Sequence, residues 1–307
     1  MAGYALGLSE TDGTPRYDAG GKGLRPAVTL LCAQAAGGAA GPAIAGAVAV
    51  ELVHAFSLVH DDIIDGDERR RHRPSVWKAY GVGPAVLSGD ALLALAVRTL
   101  TVAEGATAAA GYLSGALIEL VRGQADDMAF EERPYVGPGA VTVEEYRTMA
   151  ARKTGALLGC AAAVGTLLGG GTAARAAAMA RMGRHLGVAF QAIDDLLGIS
   201  GDPAVTGKPV YSDLRGGKKT LPIVYALRSG TDAGRRLAQI VAAHPQDPAE
   251  LRRAGALIDA AGGRAFTRNQ ADHHLDAALT LMTASGLQEP AAGRLAALAE
   301  FLVDRRH

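Results

Sequence analysis

The stretch Val48-Ala49-Val50-Glu51-Leu52-Val53-His54-Ala55-Phe56-Ser57-Leu58-Val59-His60-Asp61-Asp62-Ile63-Ile64-Asp65 decides the fold class. From Val48 to Val59 it is apolar apart from Glu51, His54 and Ser57 and contains no Gly or Pro, so the spacing predicts a helix. Residues four apart share a helix face, so Asp61 and Asp65 point the same way and Asp62 is turned aside. A second acidic pair, Asp194-Asp195, closes the apolar run that begins at Leu186. Crowded carboxylates repel one another and are costly to bury uncompensated. A hard divalent cation resolves that cost, and Mg²⁺ favours one or two carboxylates plus phosphate oxygens and water. Arg69-Arg70-Arg71 follows the first cluster, and Lys208 and Lys218-Lys219 follow the second, which suggests a metal-bridged diphosphate site.

The rest of the chain extends the helical reading. Helices are predicted at about 25–36, 42–64, 84–103, 108–128, 142–168, 173–198, 219–228, 232–243, 248–260, 262–284 and 291–305. Thr142-Val143-Glu144-Glu145 has the capping-box pattern of a helix start. Arg133–Ala140 and Ser200–Gly217 read as loops, the second carrying Lys208 and Asp213, and no strand pattern of useful length is visible. The expected class is all-α. Length suggests about two domains, but no linker divides the chain and both halves supply motifs. Residues 1–19 therefore read as an irregular segment and 20–307 as a single domain.

With 31 basic and 31 acidic residues the net charge is zero, which argues against general nucleic-acid or anionic-membrane binding. Thr154–Ala174 carries no charge and is near the length of a membrane span, but its Gly/Ala richness and the Lys153 just before it fit an interior bundle helix better. Cys32 and Cys160 read as buried free thiols in a reducing compartment, and no signal peptide is visible, so a cytoplasmic protein is expected. His273-His274 and Arg305-Arg306 read as solvated helix faces.

Six ordered motifs make the sequence resemble the trans-isoprenyl diphosphate synthases, the polyprenyl synthetase family, and within it the short-chain, geranylgeranyl-forming members. They are Gly20-Gly21-Lys22-Gly23-Leu24-Arg25-Pro26; Asp61–Asp65 with Arg70, Arg71, Pro74 and Ser75; Gly123-Gln124 with Asp127; Lys153-Thr154-Gly155; Phe190-Gln191 with Asp194-Asp195; and Gly207-Lys208-Pro209 with Asp213-Leu214, Lys218 and Thr220. The resemblance implies an all-α isoprenoid synthase fold of about ten or more helices around a central cavity, acting as a homodimer without a membrane span.

It implies Mg²⁺ as cofactor, held by Asp61, Asp62, Asp65, Asp194 and Asp195, and isopentenyl diphosphate and an allylic diphosphate as substrates. Asp61, Asp65, Arg70, Lys153, Asp194 and Lys208 would carry catalysis, with Lys218 also neutralising the departing pyrophosphate. Thr154 and Gln191 would bond near the allylic site. Lys22, Arg25, His54 and Arg71 would hold the second diphosphate without metal, and Phe56 and Ser57 would set product length. A terpene synthase-like enzyme on the same fold and a non-catalytic partner subunit are the alternatives. The chain departs from the family pattern at Gly198, where the second motif usually has Asp, and at Gly23, His72 and Trp77, where the family often has Arg, Gly and His. Gly198→Asp is expected to restore a carboxylate partner for Asp194. The family's usual first helix is expected to be short or absent ahead of Gly20.

Overall fold

The structure is a computed structural model that describes residues 1–16, 23–103, 106–201 and 210–304. Helices dominate it: α1 (Ala2–Ala5), α2 (Leu24–Ala35), α3 (Ala40–Ile64), α4 (Val76–Tyr80), α5 (Val82–Thr101), α6 (Ala106–Glu132), α7 (Val143–Ala150) and α8 (Ala156–Leu168). They continue with α9 (Ala173–Ser200), α10 (Ser212–Arg215), α11 (Leu221–Arg228), α12 (Asp232–Ala242), α13 (Pro248–Ala260), α14 (Gly263–Ala284) and α15 (Ala291–Val303). The all-α expectation holds.

Three features differ from the reading of the sequence. Arg69–Arg70 (β1) and Arg73–Pro74 (β2) form a two-residue antiparallel hairpin, with Arg70 opposite Arg73. The helix expected over 142–168 is interrupted by a π-helical turn at Ala151–Gly155. The segment expected to be irregular opens with α1, and Tyr4 within it is buried. The capping box at Thr142 is present: its hydroxyl accepts from Glu145 N, and Glu145 accepts from Thr142 N at 2.8 Å.

The described residues group into two compact units. One comprises Met1–Leu117, Leu157–Ala180 and Ser285–Leu295; the other comprises Ile118–Ala156, Arg181–Ala284 and Ala296–His307, of which the last three residues are not described. In the first, α3 packs along α5 and α2, burying Val50, Val53, Leu92 and Leu100. Small residues let α8 close on α2: a Cβ at Gly165 would lie 2.0 Å from the carbonyl oxygen of Thr29. That contact explains the Gly/Ala richness of the 154–174 stretch. Among the described residues, the helices long and apolar enough to cross a membrane are instead α3 and α5.

In the second unit, Tyr146, Met149, Ile193, Leu221 and Val224 belong to one buried cluster. Leu214, Ile223, Leu237, Leu251 and Ile258 belong to another, beneath α11–α13. Cys32 and Cys160 are buried free thiols, and burial pushes the Cys160 thiol up to about 12.

Candidate active site

The first aspartate cluster sits where α3 ends. Asp65 is the residue that closes the helix, its N–H bonding back to the Asp61 carbonyl at 2.8 Å. Asp65 is exposed and Asp61 partly exposed, whereas Asp62 is buried. The chain leaves α3 through Gly66 and returns in the β1–β2 hairpin, which brings Arg70 back onto Asp62. Arg70 Nε donates to both Asp62 oxygens at 2.8 and 2.9 Å, and its terminal nitrogen reaches Oδ1 at 2.5 Å. This forked pair is the strong geometry for a guanidinium and a carboxylate. Asp62, expected among the metal ligands, and Arg70, expected on the departing pyrophosphate, are thus paired with each other in this structure. A buried carboxylate at Asp62 needs that partner, since alone it would carry the full cost of desolvation.

Beside this pair lies a cluster of basic side chains. His54 is held well below the usual imidazole range, first by burial and then by the positive charges of Arg25, Arg71 and Arg70. A neutral imidazole ringed by guanidinium groups suits an anion that accepts hydrogen bonds. Three of the four residues expected at the second diphosphate, Arg25, His54 and Arg71, thus come together, and Lys22 lies outside the described residues. Two residues along α3, Phe56 is buried, with its ring 4.8 Å from the His60 ring in an edge-to-face contact. Ser57 donates to the His54 carbonyl at 2.9 Å.

In the second unit the site residues are built around the π turn. Glycines on two neighbours let it form: a Cβ at Gly123 of α6 would stand 2.4 Å from Lys153 N, and one at Gly187 of α9 would stand 2.5 Å from Gly155 Cα. The extra residue in this turn sets where Lys153 and Thr154 point. Lys153 Nζ bonds Asp127 Oδ2 at 2.6 Å, and Thr154 donates to Gln191 Oε1 at 2.6 Å. Gln191 Nε2 in turn donates to Asp195 Oδ1 at 2.9 Å. Asp195 is buried, and it also accepts from the Tyr146 hydroxyl and, at 3.0 Å, from Leu221 N at the start of α11. Burial pushes its carboxyl up to about 7, against the lowering effect of these donors.

Asp195, also expected among the metal ligands, thus ties α7, α9 and α11 through these hydrogen bonds, and Asp194 is the partly exposed member of the pair. Tyr146 was not singled out in the sequence, because 49 residues separate it from Asp195 and nothing local marks it.

Gly198 is filled from outside. A Cβ there would lie 2.0 Å from Asp213 Oδ2, so the carboxylate of α10 occupies the place a side chain at 198 would take. Lys218 pairs with Glu131, while buried Lys219 donates to the Glu131 carbonyl at 2.9 Å. Lys208 lies outside the described residues.

Among the described residues no group of three or more His, Cys, Asp or Glu side chains is gathered as a ready metal cage. The donors present fit Mg²⁺ all the same. Asp61 and Asp65 offer hard oxygens at a partly exposed helix end, and Mg²⁺ completes its shell with water and phosphate rather than protein cages.

Comparison with known proteins agrees with this geometry. The polyprenyl synthetase family model matches residues 14–258. A (2E,6E)-farnesyl diphosphate synthase of Mycobacterium tuberculosis is 44% identical over 312 residues, covering 100% of this chain and 86% of its own. A geranylgeranyl diphosphate synthase of the same organism is 44% identical over 286 residues, covering 92% and 80%. The crystal structure of a polyprenyl synthetase from Streptomyces coelicolor superposes with a TM-score of 0.90 at 43% identity, covering 98% of this chain and 90% of that one. A geranylgeranyl pyrophosphate synthase from Corynebacterium glutamicum, complexed with isoprenyl diphosphate and magnesium, does so with a TM-score of 0.85 at 27% identity, covering 94% and 87%. With fold, motif order and these likenesses in agreement, the chain belongs to the polyprenyl synthetase family.

Proposed function

We propose that this protein is a short-chain prenyl diphosphate synthase, condensing isopentenyl diphosphate head-to-tail with an allylic diphosphate. The observation that carries the reading is the basic cluster at His54, where the charges of Arg25 and Arg71 act on a buried imidazole of the helix that bears the first aspartate cluster. A cyclase has no use for a second diphosphate pocket, and a silent subunit has no use for either. Asp61, Asp65 and Asp194 are the residues that would hold Mg²⁺, whose chemistry is Lewis-acid neutralisation of the leaving diphosphate.

Lys153, fixed by Asp127, contributes fixed positive charge toward the departing pyrophosphate. The Thr154–Gln191 pair presents oriented polar groups toward the allylic substrate. In the reaction the allylic C–O bond breaks and pyrophosphate leaves. The isopentenyl double bond attacks the resulting cation, and a proton is lost to a pyrophosphate oxygen.

Product length is proposed to be set by Phe56 with Ser57, favouring geranylgeranyl diphosphate first and farnesyl diphosphate second. The burial of Phe56 against His60 supports a fixed stop rather than a mobile one. A homodimer is supported by α5, which leaves Leu87 68% and Val82 51% exposed. Asp90 and Arg98 in the same helix favour a second copy over lipid as the cover. Two buried free thiols suit the reducing cytoplasm proposed for it.

Incubation with dimethylallyl, geranyl or farnesyl diphosphate, with and without isopentenyl diphosphate, tests the reading by product analysis. Elongated prenyl diphosphates that appear only with isopentenyl diphosphate support it. Cyclised or hydrolysed products formed equally without isopentenyl diphosphate overturn it.

A further inference from the structure

The hairpin that carries Arg71 turns through two residues of the wrong kind. Arg71 has φ 51° and His72 has φ 64°. A two-residue loop with this I′ geometry needs positive φ at both central positions, which Asn-Gly or Gly-Gly supply most readily; His adopts it more often than most side chains, and Arg does so at a cost. Such conformations persist only where the surroundings over-determine them.

Here the strained pair is clamped on both sides. Arg70, immediately before it, is forked onto Asp62. Arg73, immediately after it, is gripped by the first residues of the chain. Its guanidinium lies 4.1 Å from the centre of the Tyr4 ring and donates to the Ser9 carbonyl at 2.9 Å and to Glu10 Oε2 at 3.3 Å. Tyr4 is 5% exposed, and its hydroxyl donates to the Pro74 carbonyl at 2.7 Å. Tyr80 donates to the Thr11 carbonyl at 3.0 Å and stands edge-on to Tyr4.

From this arrangement we infer that residues 1–11 act as a splint, through Arg73 and Tyr4, that holds the strained turn and so positions Arg71 for the diphosphate of the second substrate. Arg73 and Tyr4 are positioning residues for isopentenyl diphosphate although neither touches it. The inference rests on the proposed role of Arg71. Without the splint the turn relaxes toward negative φ, and the binding-competent arrangement is populated only part of the time. Apparent affinity falls by that fraction. A competent population of about one in ten corresponds to an about tenfold loss.

The test combines steady-state kinetics with amide hydrogen exchange across residues 69–75 in the full-length protein. Arg73→Ala is expected to raise the KM for isopentenyl diphosphate about tenfold, to leave kcat and the allylic KM within about twofold, and to speed exchange at 69–75. Adding His72→Gly, which accepts positive φ freely, is expected to return most of that loss, a rescue that a merely structural role for Arg73 would not give. Unchanged exchange at 69–75 in Arg73→Ala overturns the splint. Faster exchange with an unchanged isopentenyl KM overturns positioning and leaves the reading of Arg71 standing, provided Arg71→Ala raises that KM. If Arg71→Ala leaves it unchanged too, the reading of Arg71 has failed and takes the inference with it. Should Arg73→Ala not fold, Tyr4→Phe removes one hydroxyl alone. An about twofold rise in the same KM then supports the splint, and none overturns it.

Discussion

Replacing Gly198 with aspartate would write the missing acid back into the second cluster, and sequence spacing alone favours that as a gain in Mg²⁺ affinity. The structure reverses the sign. A Cβ at 198 would stand 2.0 Å from Asp213 Oδ2 and 2.5 Å from its Cγ, where real contacts stay beyond 3.0 Å. The Asp213 carboxylate must therefore retreat by about 1 Å (3.0 − 2.0) before the new one is placed. Asp213 is the end of a short side chain, so the fold survives, but two carboxylates are then forced together. At roughly 4 Å and an effective dielectric near 20 their repulsion is about 4 kcal/mol. Solvent at these partly exposed residues reduces it to about 1–2 kcal/mol. Removing a helical glycine returns only a few tenths.

Scanning calorimetry at pH 8 in chelator is the assay, and for a chain of 307 residues the expected fall in Tm is about 2–3 °C. Asp213→Asn in the same background should recover about 1 kcal/mol of coupling, and the Mg²⁺ concentration for half activity should not fall in Gly198→Asp. An equal or higher Tm for Gly198→Asp, with no relief from Asp213→Asn, would refute the reasoning.

Other perturbations separate the aspartates by role. Asp61→Ala should abolish nearly all turnover with little change in Tm. Asp62→Ala strands Arg70 and should cost about 3 kcal/mol of stability, measured by urea unfolding without metal. Phe56→Ala should shift chromatographed products to longer chains while total condensation stays within a few fold of the parent. A stability loss of ~3–5 kcal/mol with unchanged product length would make Phe56 a core residue only. Below pH 6.5 the fold should weaken through His274, which burial and then His185 hold down to about 4. Because the unfolded chain takes up that proton first, stability is full above the unfolded pKa and is lost as pH falls from 6.5 toward 4, by on the order of 3 kcal/mol. His274→Gln should flatten denaturant midpoints across that range.

Much of this molecule was legible in its sequence, for identifiable reasons. Long apolar runs without Pro give helices whatever surrounds them, and α3 and α9 fall within a few residues of expectation. The side of α3 on which Asp62 lies was legible from 3.6-residue geometry. Its partner was not, because Arg70 arrives through a hairpin of two-residue strands with no alternating pattern and a turn of Arg and His. The π turn at Lys153 was hidden because glycines 30 or more residues away in each direction, Gly123 and Gly187, permit it. His273-His274 read as a solvated pair, but one residue's rotation leaves His273 exposed and buries His274 against His185, 2.9 Å between Nδ1 atoms. The Asp195–Tyr146–Leu221 tie joins three helices that no local pattern links.

The central claim is that a second diphosphate is held by protein charge alone, at Arg25, His54 and Arg71. Calorimetric titration of isopentenyl diphosphate in chelator tests it most directly. The account predicts saturable binding by the parent protein without any metal, and a loss of about 1.5–3 kcal/mol of binding free energy in Arg25→Ala or Arg71→Ala, for the charged hydrogen bond each removes. Binding that appears only when Mg²⁺ is restored, or that both arginine variants retain in full, would contradict it.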